Sequence, residues 1–189
     1  MKTVSPSDRP FNVVIPCYNE EHRLPQSAIL DFLSANPRWT ATFVDDGSQD
    51  QTLNTLREMQ NRLPNQISIL KLRQNSGKAE AVRLGMVFGF EELEASYVGF
   101  ADADLAAPLE ELLPIARKLE SLTELHAGIG VRLPLLGRQV KRKKSRAVLG
   151  KVFSVLTRPI LKATHSDTQC GLKLFRDTPA AVSYTHLTL

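Results

Sequence analysis

Two aspartates separated by one residue, Asp102 and Asp104, are the side chains in this sequence best suited to hold a metal ion. They follow the apolar run Tyr97–Ala101, and their oxygens could share a hard cation with phosphate oxygens. A diphosphate beside two carboxylates would be repelled without a cation, so the pattern predicts Mg²⁺ or Mn²⁺. An isolated Asp-x-Asp is also typical of a solvated turn, and these residues alone leave that alternative open.

Side chains suited to a nucleoside follow two other apolar runs. Tyr18 and Glu20, just after Pro16, offer a ring to lie against a base and a carboxylate for ribose hydroxyls. Asp45 and Asp46 begin the segment Asp-Asp-Gly-Ser, in which a carboxylate could accept hydrogen bonds from a base or ribose. The same segment is equally typical of a turn closed by an Asx hydrogen bond.

The segment Asn75–Lys78 opens a predicted helix, where backbone N–H groups and the ammonium of Lys78 favour an anionic group. It lacks the spaced glycines of a P-loop, and a plain helix start is an equal alternative. The sequence has no Gly-x-Gly-x-x-Gly, which disfavours a dinucleotide-dependent oxidoreductase. No pair of histidines has the spacing of zinc ligands. Cys17 and Cys170 are better explained as packed small residues than as nucleophiles.

Alternating strands and helices are predicted to position these side chains. The predicted strands cover Phe11–Ile15, Trp39–Val44, Ile67–Leu72, Tyr97–Ala101 and Ala127–Val131, and the helices cover Ser27–Ala35, Gln51–Leu63, Lys78–Ala95 and Leu109–Leu119. Such alternation is typical of an α/β fold with a mostly parallel sheet between helices. Ligands bind at the carboxyl ends of such strands. We therefore expect the polar clusters, with Arg132 after the last strand, to meet at one edge.

The charge of the chain is unevenly distributed. The net charge is +4, but the stretch Arg132–Lys162 holds ten Lys or Arg and no acid. Removing those ten from the 24 basic residues leaves 14 against 20 acidic ones, a net charge of −6 for the rest. Within segment 138–163, a basic stem precedes an apolar stretch, which resembles an interfacial helix kinked at Pro159. A solvated loop beside a core helix is the alternative. Few aromatic residues lie there, which disfavours nucleic acid as a partner.

The remaining composition favours a protein that faces the cytosol. At 189 residues with 42% hydrophobic content, the chain suits one globular domain. No apolar run approaches the roughly 20 residues of a membrane-spanning helix, and the N-terminus lacks the pattern of a signal peptide. Two distant cysteines give no disulfide framework, which is typical of a reducing compartment.

The order of the motifs resembles the family 2 glycosyltransferases of GT-A fold. The motifs are Pro-Cys-Tyr-Asn-Glu at 16–20, Val-Asp-Asp-Gly-Ser at 44–48, Asn-Ser-Gly-Lys at 75–78 with Ala-Val-Arg at 81–83, and Asp-Ala-Asp-Leu at 102–105. The tail segment Asp167–Phe175 is similar to the signature of the polyprenyl-phosphate branch, and in particular to that of dolichyl-phosphate β-glucosyltransferases. Dolichyl-phosphate mannose synthases are near relatives of that branch. The resemblance covers roughly residues 11–181.

The resemblance implies a metal-dependent, inverting transfer of a sugar to a lipid phosphate on the cytosolic face of a membrane. The implied donor is UDP-glucose, with GDP-mannose as the alternative. The implied roles are nucleoside binding by Pro16, Tyr18, Glu20 and one of Asp45 and Asp46, binding of donor or acceptor phosphates by Arg132 and Arg146, and binding of a metal-bound diphosphate by Asp102 and Asp104. A phosphate acceptor is already anionic, so no general base is required, and catalysis rests on positioning and charge neutralisation.

The sequence departs from the family pattern at three places. The usual Gly-Ser-Arg is Gly130-Val131-Arg132, which keeps the arginine and loses a hydroxyl. Ala106 stands where relatives often carry a polar residue that could bind metal. Relatives also continue beyond this region, so we expect a GT-A domain over 1–181, an unassigned tail over 182–189 and a truncated C-terminus. Ala106 and the short C-terminus leave open an inactive module that binds nucleotide sugars. A family 2 transferase with a non-lipid acceptor is a further alternative, which the segment Asp167–Phe175 and the basic, apolar stem disfavour.

Overall fold

The computed structural model describes residues 9–130 and 172–178. Strands and helices alternate along the chain, as the sequence predicts. In order they are β1 (Phe11–Cys17), α1 (Gln26–Ala35), β2 (Trp39–Asp45), α2 (Thr52–Arg62), β3 (Ile67–Lys71), α3 (Lys78–Glu91), β4 (Tyr97–Phe100), α4 (Leu112–Ser121, preceded by a 3₁₀ turn at Leu109–Glu111), β5 (Ala127–Ile129) and β6 (Lys173–Arg176). In this part of the chain, no helix has both the length and the apolar character needed to cross a membrane.

The six strands form one mixed sheet in the order β3-β2-β1-β4-β6-β5. The first four strands are parallel, and β6 runs antiparallel to both β4 and β5. Because β5 and β4 are each antiparallel to β6, β5 points in the same direction as the parallel strands. The mostly parallel α/β sheet predicted from the sequence is confirmed, whereas the strand β6 was not predicted.

The first strand extends further than predicted, because Pro16 does not end it. Pro16 pairs with Val44 inside β1, and the strand continues to Cys17. The pairing between β1 and β4 stops at Val14 and Phe100. Beyond that point β1 pairs only with β2 among the described strands. No residue of β4 therefore lacks a hydrogen bond because Pro16 has no N–H to donate. The extension carries the residues after Pro16 to the edge of the sheet.

Helix α3 lies unusually close to the sheet. A Cβ atom at Gly85 would lie 2.3 Å from Cγ1 of Val14, and one at Gly89 would lie 2.9 Å from Cγ2 of Val98. The two glycines are four residues apart and therefore share one helix face. Val14 and Val98 belong to a buried apolar cluster with Val44 that this face covers. The close packing fixes the start of α3 relative to the ends of the central strands.

Candidate functional site

The site lies where the parallel strands end. Because β1, β2 and β4 share one direction, the loops that follow them emerge at the same edge of the sheet. The structure joins four of the five predicted polar clusters there through hydrogen bonds and an ion pair. The fifth cluster, at Arg132, and the predicted phosphate ligand Arg146 lie outside the described residues.

The loops after β1 and β2 are tied together by their own polar groups. The N–H of Asn19 donates to Oγ of Ser48 at 3.1 Å, and Oδ1 of Asn19 accepts the N–H of Gln49 at 2.8 Å. The N–H of Glu20 donates to Oγ1 of Thr52 at 2.8 Å. Asn19 has a φ of 53°, a left-handed conformation that asparagine tolerates better than most residues. These contacts hold the backbone of the predicted nucleoside-binding loop in one place.

Tyr18 and Glu20, the predicted nucleoside ligands, differ in exposure. The side chain of Tyr18 is 41% exposed although it is large and aromatic. Oε1 of Glu20 accepts a hydrogen bond from Nη2 of Arg23 at 2.7 Å. Its other oxygen, Oε2, is buried and has no hydrogen-bond partner within the described part of the chain. A buried carboxylate oxygen without a donor is poorly satisfied, so a ligand hydroxyl would improve its environment.

The carboxylate of Asp50 also links the loops after β1 and β2. Its oxygens accept the N–H of Thr52 at 2.9 Å, the hydroxyl of Thr52 at 2.5 Å and the N–H of Glu21 at 3.2 Å. Desolvation raises the pKa of Asp50, but the hydrogen bonds from Thr52 and Glu21 outweigh it and lower the pKa overall. Neither Asp50 nor Thr52 was among the site residues predicted from the sequence. The hydroxyl residue two positions after Asp50 was the available signal.

Asp45 and Asp46 are both buried, and they differ in their partners. Oδ1 of Asp45 accepts the N–H of Ser48 at 3.1 Å, as in the Asx turn considered above, and Oδ2 is without a partner among residues 9–130 and 172–178. Asp46 accepts the N–H of Ser76 at 2.7 Å and that of Gly77 at 2.9 Å, one at each oxygen. Asp46 therefore fixes the start of α3, while Asp45 keeps one oxygen that is not satisfied.

The turn after β2 has room only for glycine. Gly47 has a φ of 71°, and a Cβ atom there would lie 2.6 Å from the backbone carbonyl carbon of Gln74 and 2.7 Å from the nitrogen of Asn75. Both the dihedral angle and the close backbone approach exclude a side chain. The Asp-Asp-Gly-Ser turn thereby packs against the loop that leads into α3.

Lys78 and Asp102 form an ion pair between the start of α3 and the loop after β4. Lys78 is the first residue of α3, and its Nζ donates to Oδ1 of Asp102 in a short ion pair. The Lys78 side chain is 59% exposed and that of Asp102 is 27% exposed, so a ligand from solvent can reach both groups. A cation and a carboxylate are thus held together at the N-terminus of a helix, where backbone N–H groups also favour an anion.

Asp104 is exposed and lies beside an open cleft. Its Oδ1 accepts the N–H of Ala106 at 3.1 Å. The turn that presents it is closed by the N–H of Leu105 and the carbonyl oxygen of Asp102 at 2.9 Å, and Leu105 has a φ of 43°. A cleft of about 230 Å³ next to it is lined by Pro25, Ala28, Asp104, Leu105, Pro108, Leu109 and Glu110.

Asp102 and Asp104, the predicted ligands of a divalent cation, offer the kind of donor atom that such an ion prefers. The second oxygens of Asp102 and Asp104 accept no hydrogen bond from the residues that the structure describes. Both side chains supply oxygen atoms, which Mg²⁺ and Mn²⁺ prefer. In the same part of the chain, no group of three or more His, Cys, Asp or Glu side chains is arranged to hold a metal. Two protein carboxylates would thus need further oxygens from a bound molecule.

Cys17 lies beside this site but is unsuited to attack a substrate. It is buried at the end of β1. Burial raises the pKa of its thiol well above the ordinary range, and the nearby carboxylates of Glu20 and Asp45 raise it further. A thiol that stays protonated is a poor nucleophile. The prediction that Cys17 is a packed small residue is confirmed, while Cys170 lies outside the described residues.

The fold is that of the GT-A glycosyltransferases. Similar solved structures include mannosyltransferase PcManGT from Pyrobaculum calidifontis in complex with GDP-Man and Mn²⁺, at 20% identity with a TM-score of 0.60 over 95% of this chain and 52% of that chain. Another is glucosyl-3-phosphoglycerate synthase from Mycobacterium tuberculosis in complex with Mn²⁺, UDP and phosphoglyceric acid, at 18% identity with a TM-score of 0.62 over 90% of this chain and 56% of that chain. At these identities the likeness concerns the fold alone.

The chain belongs to glycosyl transferase family 2, whose sequence profile matches residues 12–181. Among curated proteins, it is 36% identical to the dolichyl-phosphate beta-glucosyltransferase of Saccharomyces cerevisiae, over 87% of this chain and 54% of that protein. It is 32% identical to the enzyme of the same name from Drosophila melanogaster, over 94% of this chain and 57% of that protein. The chain therefore spans little more than half the length of these relatives.

Proposed function

We propose that this chain is the catalytic part of an inverting glycosyltransferase that moves glucose from UDP-glucose to dolichyl phosphate or a related polyprenyl phosphate. The observation that carries the proposal is the identity of 36% and 32% to two dolichyl-phosphate beta-glucosyltransferases over most of this chain. The geometry of the site supports it, because four of the motifs that define the resemblance are in contact at one edge of the sheet.

The nucleoside half of the donor binds to the loops after β1 and β2. Tyr18 lies against the base, and Pro16, two residues earlier in β1, contributes to the same nucleoside site. The free oxygens of Glu20 and Asp45 accept hydrogen bonds from the ribose or the base, and this role is supported by their lack of partners in the described residues. Asp46 contributes by holding the loop that precedes Lys78.

The diphosphate half binds between Lys78, Asp102 and Asp104. A bound Mg²⁺ or Mn²⁺ would neutralise charge on the leaving diphosphate. Asp102 and Asp104 would hold that ion through carboxylate oxygens, and Ala106 adds no third ligand. Lys78 then donates to a phosphate oxygen from the N-terminus of α3. These groups stabilise the charge that develops as the glycosidic bond to the diphosphate breaks.

The acceptor is an anionic phosphate, so none of the residues needs to remove a proton from it. Arg132 and Arg146 contribute positive charge for the phosphates of donor and acceptor. The basic and apolar segment 138–163 lies in the interface of the cytosolic membrane face, with its Lys and Arg side chains near anionic headgroups. All of these residues are outside the described ranges, and their roles rest on the sequence. The catalytic domain then covers 1–181, and 182–189 has no assigned role.

A donor screen tests the proposal. The protein is incubated with radiolabelled UDP-glucose or GDP-mannose, Mn²⁺ and dolichyl phosphate, and the label is counted after extraction into organic solvent. We expect label in the organic phase with UDP-glucose and dolichyl phosphate together, and none when the lipid is left out. Transfer from GDP-mannose alone would overturn the donor assignment. Metal-dependent binding of UDP-glucose in calorimetry without transfer to any acceptor would favour an inactive binding module.

A further inference from the structure

We propose that Lys78 is a built-in counter-ion of Asp102, which a divalent cation must displace and which the donor diphosphate draws away. The inference rests on the proposed function, since it takes Asp102 as a metal ligand. It adds that the affinities for the divalent cation and for the diphosphate are coupled. The cation alone binds weakly because Lys78 competes with it for Asp102. The cation binds tightly once the ammonium group of Lys78 pairs with a diphosphate instead.

The ammonium group of Lys78 lies where it competes with a bound cation. Nζ of Lys78 is bonded to Oδ1 of Asp102, so one oxygen of the carboxylate is occupied by a cation of the protein itself. A divalent ion at the same carboxylate would come close to a positive charge and would be repelled. Metal binding therefore requires that this ion pair is broken or lengthened.

The backbone conformation before α3 holds Lys78 beside Asp102. The loop before Lys78 is fixed by the buried carboxylate of Asp46, which accepts the N–H groups of Ser76 and Gly77. Gly77 has a φ of 90° and gives the chain the sharp turn into α3. The backbone of Lys78 is thus anchored beside Asp102, whereas its side chain is 59% exposed and can turn to another partner.

A bound diphosphate competes with Asp102 for the ammonium group of Lys78. A diphosphate carries several negative charges and attracts an ammonium group more strongly than one carboxylate does. Lys78 is the first residue of α3. When the diphosphate binds at the N-terminus of this helix, the Lys78 side chain can leave Asp102 and donate to a phosphate oxygen. Oδ1 of Asp102 is then released, so both oxygens of this carboxylate are available to the cation. Cation and diphosphate consequently help each other to bind, and the coupling is reciprocal.

The experiment measures Mn²⁺ binding from the electron paramagnetic resonance signal of the free ion, with and without UDP. The variants are Lys78→Met, which removes the charge, and Lys78→Arg, which keeps it. Lys71→Met is the matched control, because Lys71 is an exposed lysine at the end of β3 on the same edge. Thermal unfolding checks that each variant is folded, and Lys78→Gln replaces the methionine variant if that one does not fold.

We expect Lys78→Met to bind Mn²⁺ alone about two- to fivefold more tightly than the unchanged protein, the effect of releasing one exposed ion pair. The gain in Mn²⁺ affinity caused by UDP should shrink in the same variant. Lys78→Arg and Lys71→Met should behave like the unchanged protein. Equal or weaker Mn²⁺ binding by Lys78→Met in the absence of UDP would overturn the inference while leaving the metal site intact. Absence of Mn²⁺ binding to every variant, with UDP present, would overturn the metal site itself and the inference with it.

Discussion

Oδ2 of Asp46 accepts the backbone N–H of Gly77 at 2.9 Å, and this bond joins the end of one central strand to the start of α3. The other oxygen of the same carboxylate accepts the N–H of Ser76 at 2.7 Å. Because Lys78 directly follows Gly77, the Asp46 carboxylate fixes the backbone position from which the positively charged Lys78 side chain extends. A buried acid thereby links the loop after β2 to the start of α3.

Asp46→Asn should destabilise the protein by about 1 to 3 kcal/mol, because an amide can accept only one of the two N–H groups and presents its own donors to the other. Urea unfolding measures the change. Asp31→Asn, at an exposed position on α1, is the control and should change the free energy of unfolding by less than about 0.5 kcal/mol. Equal effects of the two substitutions would contradict the assigned role of Asp46.

Cys17 should resist alkylation in the folded protein. On a Cys170→Ser background, in which Cys17 is the remaining thiol, we expect slow reaction with iodoacetamide at pH 8 and fast reaction in urea. The reason is that burial and the nearby carboxylates raise the pKa of the Cys17 thiol. Mass spectrometry counts the modified chains, and rapid labelling of the native protein would contradict the buried position.

The Asp50 carboxylate should make stability depend on pH in the acid range. Its pKa is lowered in the folded protein, so its ionised form stabilises the fold above its unfolded-state pKa, and that stabilisation is lost as pH falls through the lowered value. We expect the unchanged protein to unfold at a higher temperature than Asp50→Asn near pH 7, and the difference to shrink below about pH 4. The control Glu58→Gln, exposed on α2, should show little difference at either pH. A gap between Asp50→Asn and the parent that stays constant from pH 7 to pH 3 would argue against this contribution.

The basic segment should matter for binding to anionic membranes. Replacement of Lys141, Arg142, Lys143 and Lys144 by glutamine removes four positive charges, each worth roughly 1 kcal/mol near an anionic surface. We expect weaker sedimentation with liposomes that contain phosphatidylserine, most visibly at low salt. Liposomes of phosphatidylcholine alone are the control. Equal binding by both proteins at low salt would reject the membrane role of this segment.

Much of the fold was predictable because it follows from local patterns. The apolar runs ended by polar clusters gave β1 to β5 within a few residues, and their alternation with helices gave a mostly parallel sheet. The shared direction of the strands then predicted that Glu20, Asp46, Lys78 and Asp102 would lie at one edge. That conclusion needs topology only, not side-chain geometry.

The rest depended on contacts that no local pattern contains. The strand β6 has only four residues, and its place between β4 and β5 is decided by pairing with distant partners. The two adjacent aspartates look alike in sequence, yet Asp46 holds the loop before α3, while one oxygen of Asp45 has no partner among the described residues. The ion pair of Lys78 and Asp102 spans 24 residues and two elements, so it becomes visible only in three dimensions.

The central claim is that Asp102 and Asp104 hold a divalent cation together with the diphosphate of a nucleotide sugar. The most direct test is the affinity for UDP-glucose, measured by calorimetry with and without Mn²⁺, for the unchanged protein and Asp104→Asn. Glu110→Gln is the control, because Glu110 lines the same cleft as Asp104. We predict that Mn²⁺ increases the affinity of the unchanged protein and of Glu110→Gln, and that Asp104→Asn remains folded but loses this increase. An Mn²⁺ effect of equal size in Asp104→Asn would contradict the account.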